Sequence, residues 1–162
     1  DTDETCTFFL GSKHILFTIG EATLVCRILE GEFLDYKNAI PRRNPINLVL
    51  DTKTMLQSLE RVSVVISEKL KSPVRCLFED NKVTMSAKTA NGDAKDVCRI
   101  AGDGQGLEIG FNNRYLMDAL RYAPADTVKM ELNTGISPAI IVPVEGEENF
   151  LYMVLPVRLK AN

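Results

Sequence analysis

Apolar residues follow two rhythms along this chain. Over most of its length they alternate with polar residues or form short blocks bounded by Gly, Asn, Asp or Pro, which is the rhythm of strands. The blocks group into a pattern used three times: a strand, a tight polar turn, a second strand, and a third apolar run after a polar gap. "CTFFLGSKHILFTI" turns at Gly11-Ser12-Lys13 and is followed by "TLVCRILEG". "VRCLFEDNKVTMSA" turns at Asp80-Asn81-Lys82 and is followed by "DVCRIAG". "VKMELNTGISPAIIVPV" turns at Asn133-Thr134-Gly135 and is followed by "LYMVLPV". The turn residues are those that accept left-handed or turn backbone. Val-Cys-Arg-Ile occurs at 25–28 and again at 97–100, which supports a repeat.

In two places the rhythm lengthens. "DTKTMLQSLERVSVVISEKL" carries Met55, Leu59, Val62 and Ile66 at helical spacing behind an Asp51 N-cap. "NNRYLMDALRYAP" predicts a helix capped by Asn112, with Leu116, Ala119, Leu120 and Ala123 inward and Pro124 as its stop. Strands are expected at 74–79, 82–87, 96–101, 106–111, 127–133, 138–143 and 150–157. From residue 46 the order is therefore β-α-β-β-β-β-α-β-β-β. Residues 1–40 carry similar strands without a helix. "PRRNP", with two prolines, two arginines and no apolar residue, marks a linker at 42–45 between units 1–41 and 46–162. The fold class is α+β.

Composition narrows the function. The chain has 162 residues, 45% of them hydrophobic, with a net charge of -3, which argues against a generally basic nucleic-acid binder but leaves room for a local basic face. No apolar run approaches a membrane span, and no secretory leader opens the chain. Entry into strand without a start methionine suggests a chain that begins partway through a domain. Cys6, Cys26, Cys76 and Cys98 form no CxxC pair and lie in apolar runs, so they read as buried free thiols of a reducing compartment. Disulfides or a zinc site are weaker alternatives.

Catalytic chemistry has little to stand on. The one histidine, His14, follows a hairpin turn and reads as a solvated strand residue. The triple glycine of "GDGQG" leads into the strand "LEIGF", not a helix, so it reads as a hairpin turn and not a phosphate cradle. "DTDE" and "EGEE" lack the spacing of a calcium loop. A non-enzymatic module with no cofactor is expected: either a binding and assembly module or a β-rich interaction domain that binds no DNA.

Three stretches carry a family likeness: "LEGEFLDYKNAIP" before the linker, with its Gly-x-Phe-x-Asp-Tyr motif, "LEIGFNNRYLMDAL" at the second helix, and "YMVLPVRL" at the end. Together they resemble the C-terminal part of the bacterial DNA polymerase III beta subunit, the replicative sliding clamp. That resemblance implies a DNA-clamp fold of two β-α-β-β-β units, two helices on one face of antiparallel sheet, with residues 1–41 as the last strands of an incomplete middle domain. It implies a homodimeric ring around duplex DNA, read without regard to sequence, in a cytoplasmic, nucleoid-associated setting. The DNA polymerase, the clamp loader, and repair and translesion polymerases are the implied partners.

The site residues it implies are of three kinds. A partner-peptide groove would be walled by Met153, Leu155, Pro156, Val157, Arg158 and Leu159, with Leu34, Asn38 and Ala39 from "FLDYKNA", completed by Asn112, Tyr115 and Pro138. Leu34 and Asn38 depart from the family, where proline and arginine are common. Arg61, Lys69, Lys71, Arg114 and Arg121 would face DNA, although Glu60, Glu68 and Asp118 share those helices. Val64, Val65, Lys95, Asp96 and Ile100 would form the subunit interface. Pro156 lacks a donor, and the expectation is that it holds the strand end as a groove wall instead of letting it pair onward.

Overall fold

The computed structural model describes residues 5–67, 72–145 and 149–159. Contacts divide the chain between Tyr36 and Lys37. The first unit is a three-stranded antiparallel sheet of β1 (Thr7–Leu10), β2 (His14–Ile19) and β3 (Ala22–Arg27), in that order. The turn at 11–13 is as expected, closed by Gly11 N–H to His14 O at 2.8 Å. None of its described residues is buried, and Phe8, Phe9 and Leu10 are all exposed. Three short strands supply too little apolar area for a core of their own. Cys6 precedes β1 and is exposed, and Cys26 is half-buried, so the expectation of buried thiols holds only for Cys76 and Cys98. A four-residue helix, α1 (Tyr36–Ala39), spans the division, where no helix was expected.

The second unit runs β4 (Ile46–Asp51), α2 (Thr52–Ser63), β5 (Val74–Thr89), β6 (Gly92–Phe111), α3 (Asn113–Arg121), β7 (Thr127–Leu132), β8 (Ala139–Pro143), β9 (Tyr152–Val154) and β10 (Pro156–Val157). The four expected strands between the helices are two long ones. The chain does not turn at Asp80-Asn81-Lys82 or at "GDGQG". β5 and β6 pair from Val74↔Phe111 to Thr89↔Gly92, with register shifts at Phe78/Asp80 and Asp80/Lys82. The turn-forming residues serve a bulge instead: Asn81 and Gln105 take the left-handed conformation at φ 55 and 56°, and a Cβ on Gly104 would lie 2.4 Å from Phe78 Cβ. Val97–Ile100 consequently lies inside β6, not on a third strand after a hairpin.

Both helices start where expected. The Asp51 side chain accepts the Thr54 N–H at 2.7 Å, and Asn112 Oδ1 accepts those of Arg114 and Tyr115. Helix α2 ends at Ser63, well short of the expected length, because Val64-Val65-Ile66 is a β-branched run that crowds a helix. Ile66 packs on the core from beyond the helix. Met55, Leu59 and Val62 of α2, with Leu116, Ala119 and Leu120 of α3, bury one stripe each against β4–β9. The helices lie side by side, and Arg121 of α3 reaches Glu60 of α2 at 3.4 Å.

The sheet order is β10-β6-β4-β7-β8-β9, with β5 on β6. Strands β9 and β10 stand at opposite ends of that order yet are separated only by Leu155. The last apolar run thus joins the two ends and curls the sheet around its core. Pro156 does pair onward, opposite Phe111, contrary to the expectation of an unpaired groove wall. A missing donor is tolerated there because β10 is an edge strand. Among the described residues no helix is long and apolar enough to cross a membrane.

Replacing Asp51 with alanine should lower stability by about 1 kcal/mol, read by urea unfolding. Hydrogen bonds from Thr54, through its side chain and then its N–H, hold the Asp51 carboxyl below its ordinary 3.8. A carboxyl lowered by folding stabilises fully above its unfolded pKa, and that stability is lost as pH falls through the lowered value. The penalty of Asp51→Ala should therefore be complete at neutral pH and shrink below pH 3.8.

Candidate functional site: the cleft between the second helix and the terminal run

Helix α3 and the last strands form an apolar cleft of about 420 Å³. Tyr115, Asp118, Ala119 and Tyr122 line it from the helix side, and Leu151 to Leu155 from the strand side. The helix spacing i, i+3, i+4, i+7 places its four residues on one face. Tyr152 Oη donates to the Tyr122 carbonyl at 2.8 Å and fixes the far end. Tyr115 also borders a second cleft, of about 500 Å³, with Ile66, Ser67, Asn112, Asn113, Arg114 and Met117. It is 62% exposed, a ridge between the two hollows.

The expected groove residues of the second unit converge unequally. Tyr115, Met153 and Leu155 share the first cleft, and Leu155 is 62% exposed although flanked by paired residues. The register Ala139↔Val154, continued by one residue, sets Pro138 opposite Leu155. Pro156 and Val157 pair with Phe111 and Gly110, next to Asn112. Leu159 lies over Gly110, where an added Cβ would come within 2.6 Å of its Cδ2. Arg158 is exposed, as are Asn38 and Ala39 on α1. Leu34 belongs to the other unit. The expectation missed Tyr122, Leu151 and Tyr152. The signal was the seven-residue spacing of Tyr115 and Tyr122, hidden because Tyr115 was taken from the family motif and not extended along its helix face.

Every described arginine expected to face DNA already has a carboxylate. Arg61 pairs with Asp96 at 2.6 Å, Arg114 with Asp118 at 3.9 Å, and Arg121 with Asp118 and Glu60 at 3.4 Å each. Lys69 and Lys71 lie outside the described residues. Among the expected interface residues, Val64 is 83% exposed at the end of α2, and the Val65 carbonyl accepts the Thr89 hydroxyl at 2.8 Å. Lys95 is exposed, whereas Ile100 is buried in the core. Burial pushes the Asp96 carboxyl up, but donors from Ser58, Arg61 and the Val97 N–H outweigh it and hold the group below its ordinary value. The Cys76 thiol, fully enclosed, is pushed up to about 12 by burial and stays protonated.

Residues 37–158 match the family model for the DNA polymerase III beta subunit, C-terminal domain. A beta sliding clamp from Synechocystis is 33% identical over 158 residues, covering 93% of this chain and 39% of that protein. The DNA polymerase III beta subunit of Pseudomonas aeruginosa superposes with a TM-score of 0.83 at 27% identity, over 98% of this chain and 44% of that one. The sliding clamp of Caulobacter crescentus does so with 0.82 at 26% identity, over 95% and 41%. The chain spans about two-fifths of the length of the curated relatives it matches.

Proposed function

Because the chain belongs to the DNA polymerase III beta subunit family, the sliding clamps, we propose that it serves as the partner-binding and assembly part of a non-catalytic processivity clamp. In this reading the whole subunit forms a homodimeric ring around duplex DNA in the cytoplasm. The ring tethers the polymerase, and in turn the clamp loader and repair and translesion polymerases, by short peptides seated against the terminal run. Residues 1–41 are the end of the middle domain and 46–162 the last domain. The unburied sheet of the first unit supports this, since it needs a larger body to cover it.

The observation that carries the reading is the convergence of Tyr115, Met153 and Leu155 in one apolar cleft beside α3. An apolar hollow with a few polar groups at its rim suits an extended peptide with apolar anchors. Mapping amide and methyl shifts while adding a peptide with two leucine-sized anchors tests it. Shifts centred on these three residues support the reading, and shifts absent from all three refute it.

DNA contact is expected to be weak. The arginines of α2 and α3 are shared with Glu60, Asp96 and Asp118, so few phosphates gain a full counter-charge. The chain should bind duplex DNA with a Kd of about 10⁻⁴ M or weaker at physiological salt, without sequence preference, and more weakly as salt rises. A titration showing salt-resistant, sequence-specific binding would contradict the clamp. The alternative, an interaction domain that binds no DNA, predicts no binding even at low salt.

A further inference from the structure

The apolar cleft beside α3 carries one charge. Tyr115, Asp118 and Tyr122 stand at i, i+3 and i+7 on one helix face, and all three line the cleft. Asp118 is the only charged residue among the described residues that do so. Both tyrosines are exposed, so the carboxylate has an open aromatic residue on each side along the helix. The strand side adds no positive charge. No lysine or arginine lies between Lys129 and Arg158.

Asp118 is held loosely. Its side chain is 40% exposed, and its two partners take one oxygen each: Arg114 Nε lies 3.9 Å from Oδ2, and the Arg121 guanidinium lies 3.4 Å from Oδ1. Exposed pairs of this kind contribute little and exchange readily with another cation. Arg121 also divides its charge with Glu60. Neither arginine lines the cleft. Arg114 borders the hollow beyond the Tyr115 ridge, and Arg121 borders one beside Thr52 and Lys53 at the start of α2. The helix thus gives its positive charge to the neighbouring hollows and its carboxylate to the apolar cleft.

A cation suits this place. The carboxylate attracts it, tyrosine rings add cation–π attraction, and a lysine or arginine stem covers apolar surface while its head stays wet. A partner carboxylate would instead meet Asp118 across an apolar hollow. The spacing fixes where the cation belongs. A helix rises about 1.5 Å per residue, so Asp118 lies about 4.5 Å along the axis from Tyr115, and Tyr122 about 6 Å further. An extended peptide advances about 3.3 Å per residue. An apolar anchor beside Tyr115 therefore sets the residue two positions away between Asp118 and Tyr122.

We propose that Asp118 is a specificity residue of this cleft, selecting partner peptides that carry a lysine or arginine two residues from an apolar anchor. This rests on the reading of the cleft as a peptide groove. It adds a charge requirement at the Tyr122 end, outside the groove residues expected from the sequence.

The test uses the full chain and extended peptides capped at both termini. Each has two leucine anchors and one test residue, Lys, Gln or Glu, set two positions before the first anchor or two after the last. In one of these placements the Lys peptide should bind about threefold more tightly than the Gln peptide and about tenfold more tightly than the Glu peptide. Added salt should narrow both gaps. In Asp118→Asn the Lys-to-Glu ratio should fall to one or below, and in Asp118→Glu it should persist. Binding with no charge preference in either placement overturns the role of Asp118 and leaves the cleft as a peptide groove. A Lys preference that survives Asp118→Asn overturns it as well. No binding by any of the peptides, with circular dichroism unchanged, overturns the groove and this proposal with it.

Discussion

Phe111→Ala should lower the stability of the second unit by about 3–5 kcal/mol, the range for emptying a buried aromatic site. Phe111 is fully buried and sits where three elements meet. It pairs with Val74 of β5 on one side and Pro156 of β10 on the other, and it precedes the Asn112 cap of α3. Removing the ring opens a cavity under one of the two register positions at which β10 pairs with β6. Against a typical domain stability of about 5–15 kcal/mol, the loss is large. Urea unfolding followed by circular dichroism measures it. A loss below about 1 kcal/mol would mean that the site collapses freely and that the β10 closure contributes little. Because β10 directly follows Leu155 of the cleft, the variant should lose peptide binding even where it remains folded, whereas the cap variant Asp51→Ala should retain it.

Much of the fold was legible because local and global signals agreed. Asp51 and Asn112 are strong N-caps followed by helical apolar spacing, and both act as caps. Asn133 to Ser137 sits between two alternating runs and does make the β7–β8 turn, closed by Ser137 N–H to Thr134 O. The misreading at Asp80-Asn81-Lys82 has a definite cause. A hairpin turn and a bulge both require a residue that accepts positive φ, and Asn81 meets either need. What separates them is whether the next strand folds back locally or pairs some twenty residues on, and that depends on the partner, not the turn. "GDGQG" was ambiguous for the same reason: Gly102 at φ 113° and Gly104 against Phe78 serve the inner corner of the bulge.

The site was half legible. Tyr115, Met153 and Leu155 followed from the family motif, and they meet in one cleft. Tyr122 and Tyr152 were not found because their pairing is tertiary: a hydroxyl at residue 152 meets a helix-end carbonyl at residue 122. The pairs of Arg61 with Asp96 and of Arg121 with Glu60 were equally out of reach, whereas Asp118, three residues before Arg121, was legible. Asp96 lies 35 positions from Arg61, and Glu60 and Arg121 sit on separate helices. A count of basic residues on a helix overstates its field whenever the compensating carboxylates come from another element.

Leu155→Asp should abolish binding of an apolar-tailed peptide while leaving the fold intact. Leu155 is the single residue between β9 and β10, and it makes no strand pair in either register. Its side chain is largely exposed yet lines the apolar cleft with Tyr115 and Met153. An aspartate there costs the folded chain little, since the carboxylate can remain hydrated while the cleft is empty. A seated peptide would strip that hydration, and the one charged residue that lines the cleft is Asp118, itself a carboxylate and no counter-charge. Each leucine-sized anchor contributes about 1.5–3 kcal/mol on burial, and ordering a flexible peptide offsets part of that, so two anchors leave micromolar binding at best. The variant should therefore bind at least a hundredfold more weakly, below detection in a titration that resolves the unmodified chain. Circular dichroism and the urea midpoint serve as the fold control. Equal binding by the two proteins would mean that the anchor sits elsewhere and that the Leu155 step serves only to pass the chain from one end of the sheet to the other.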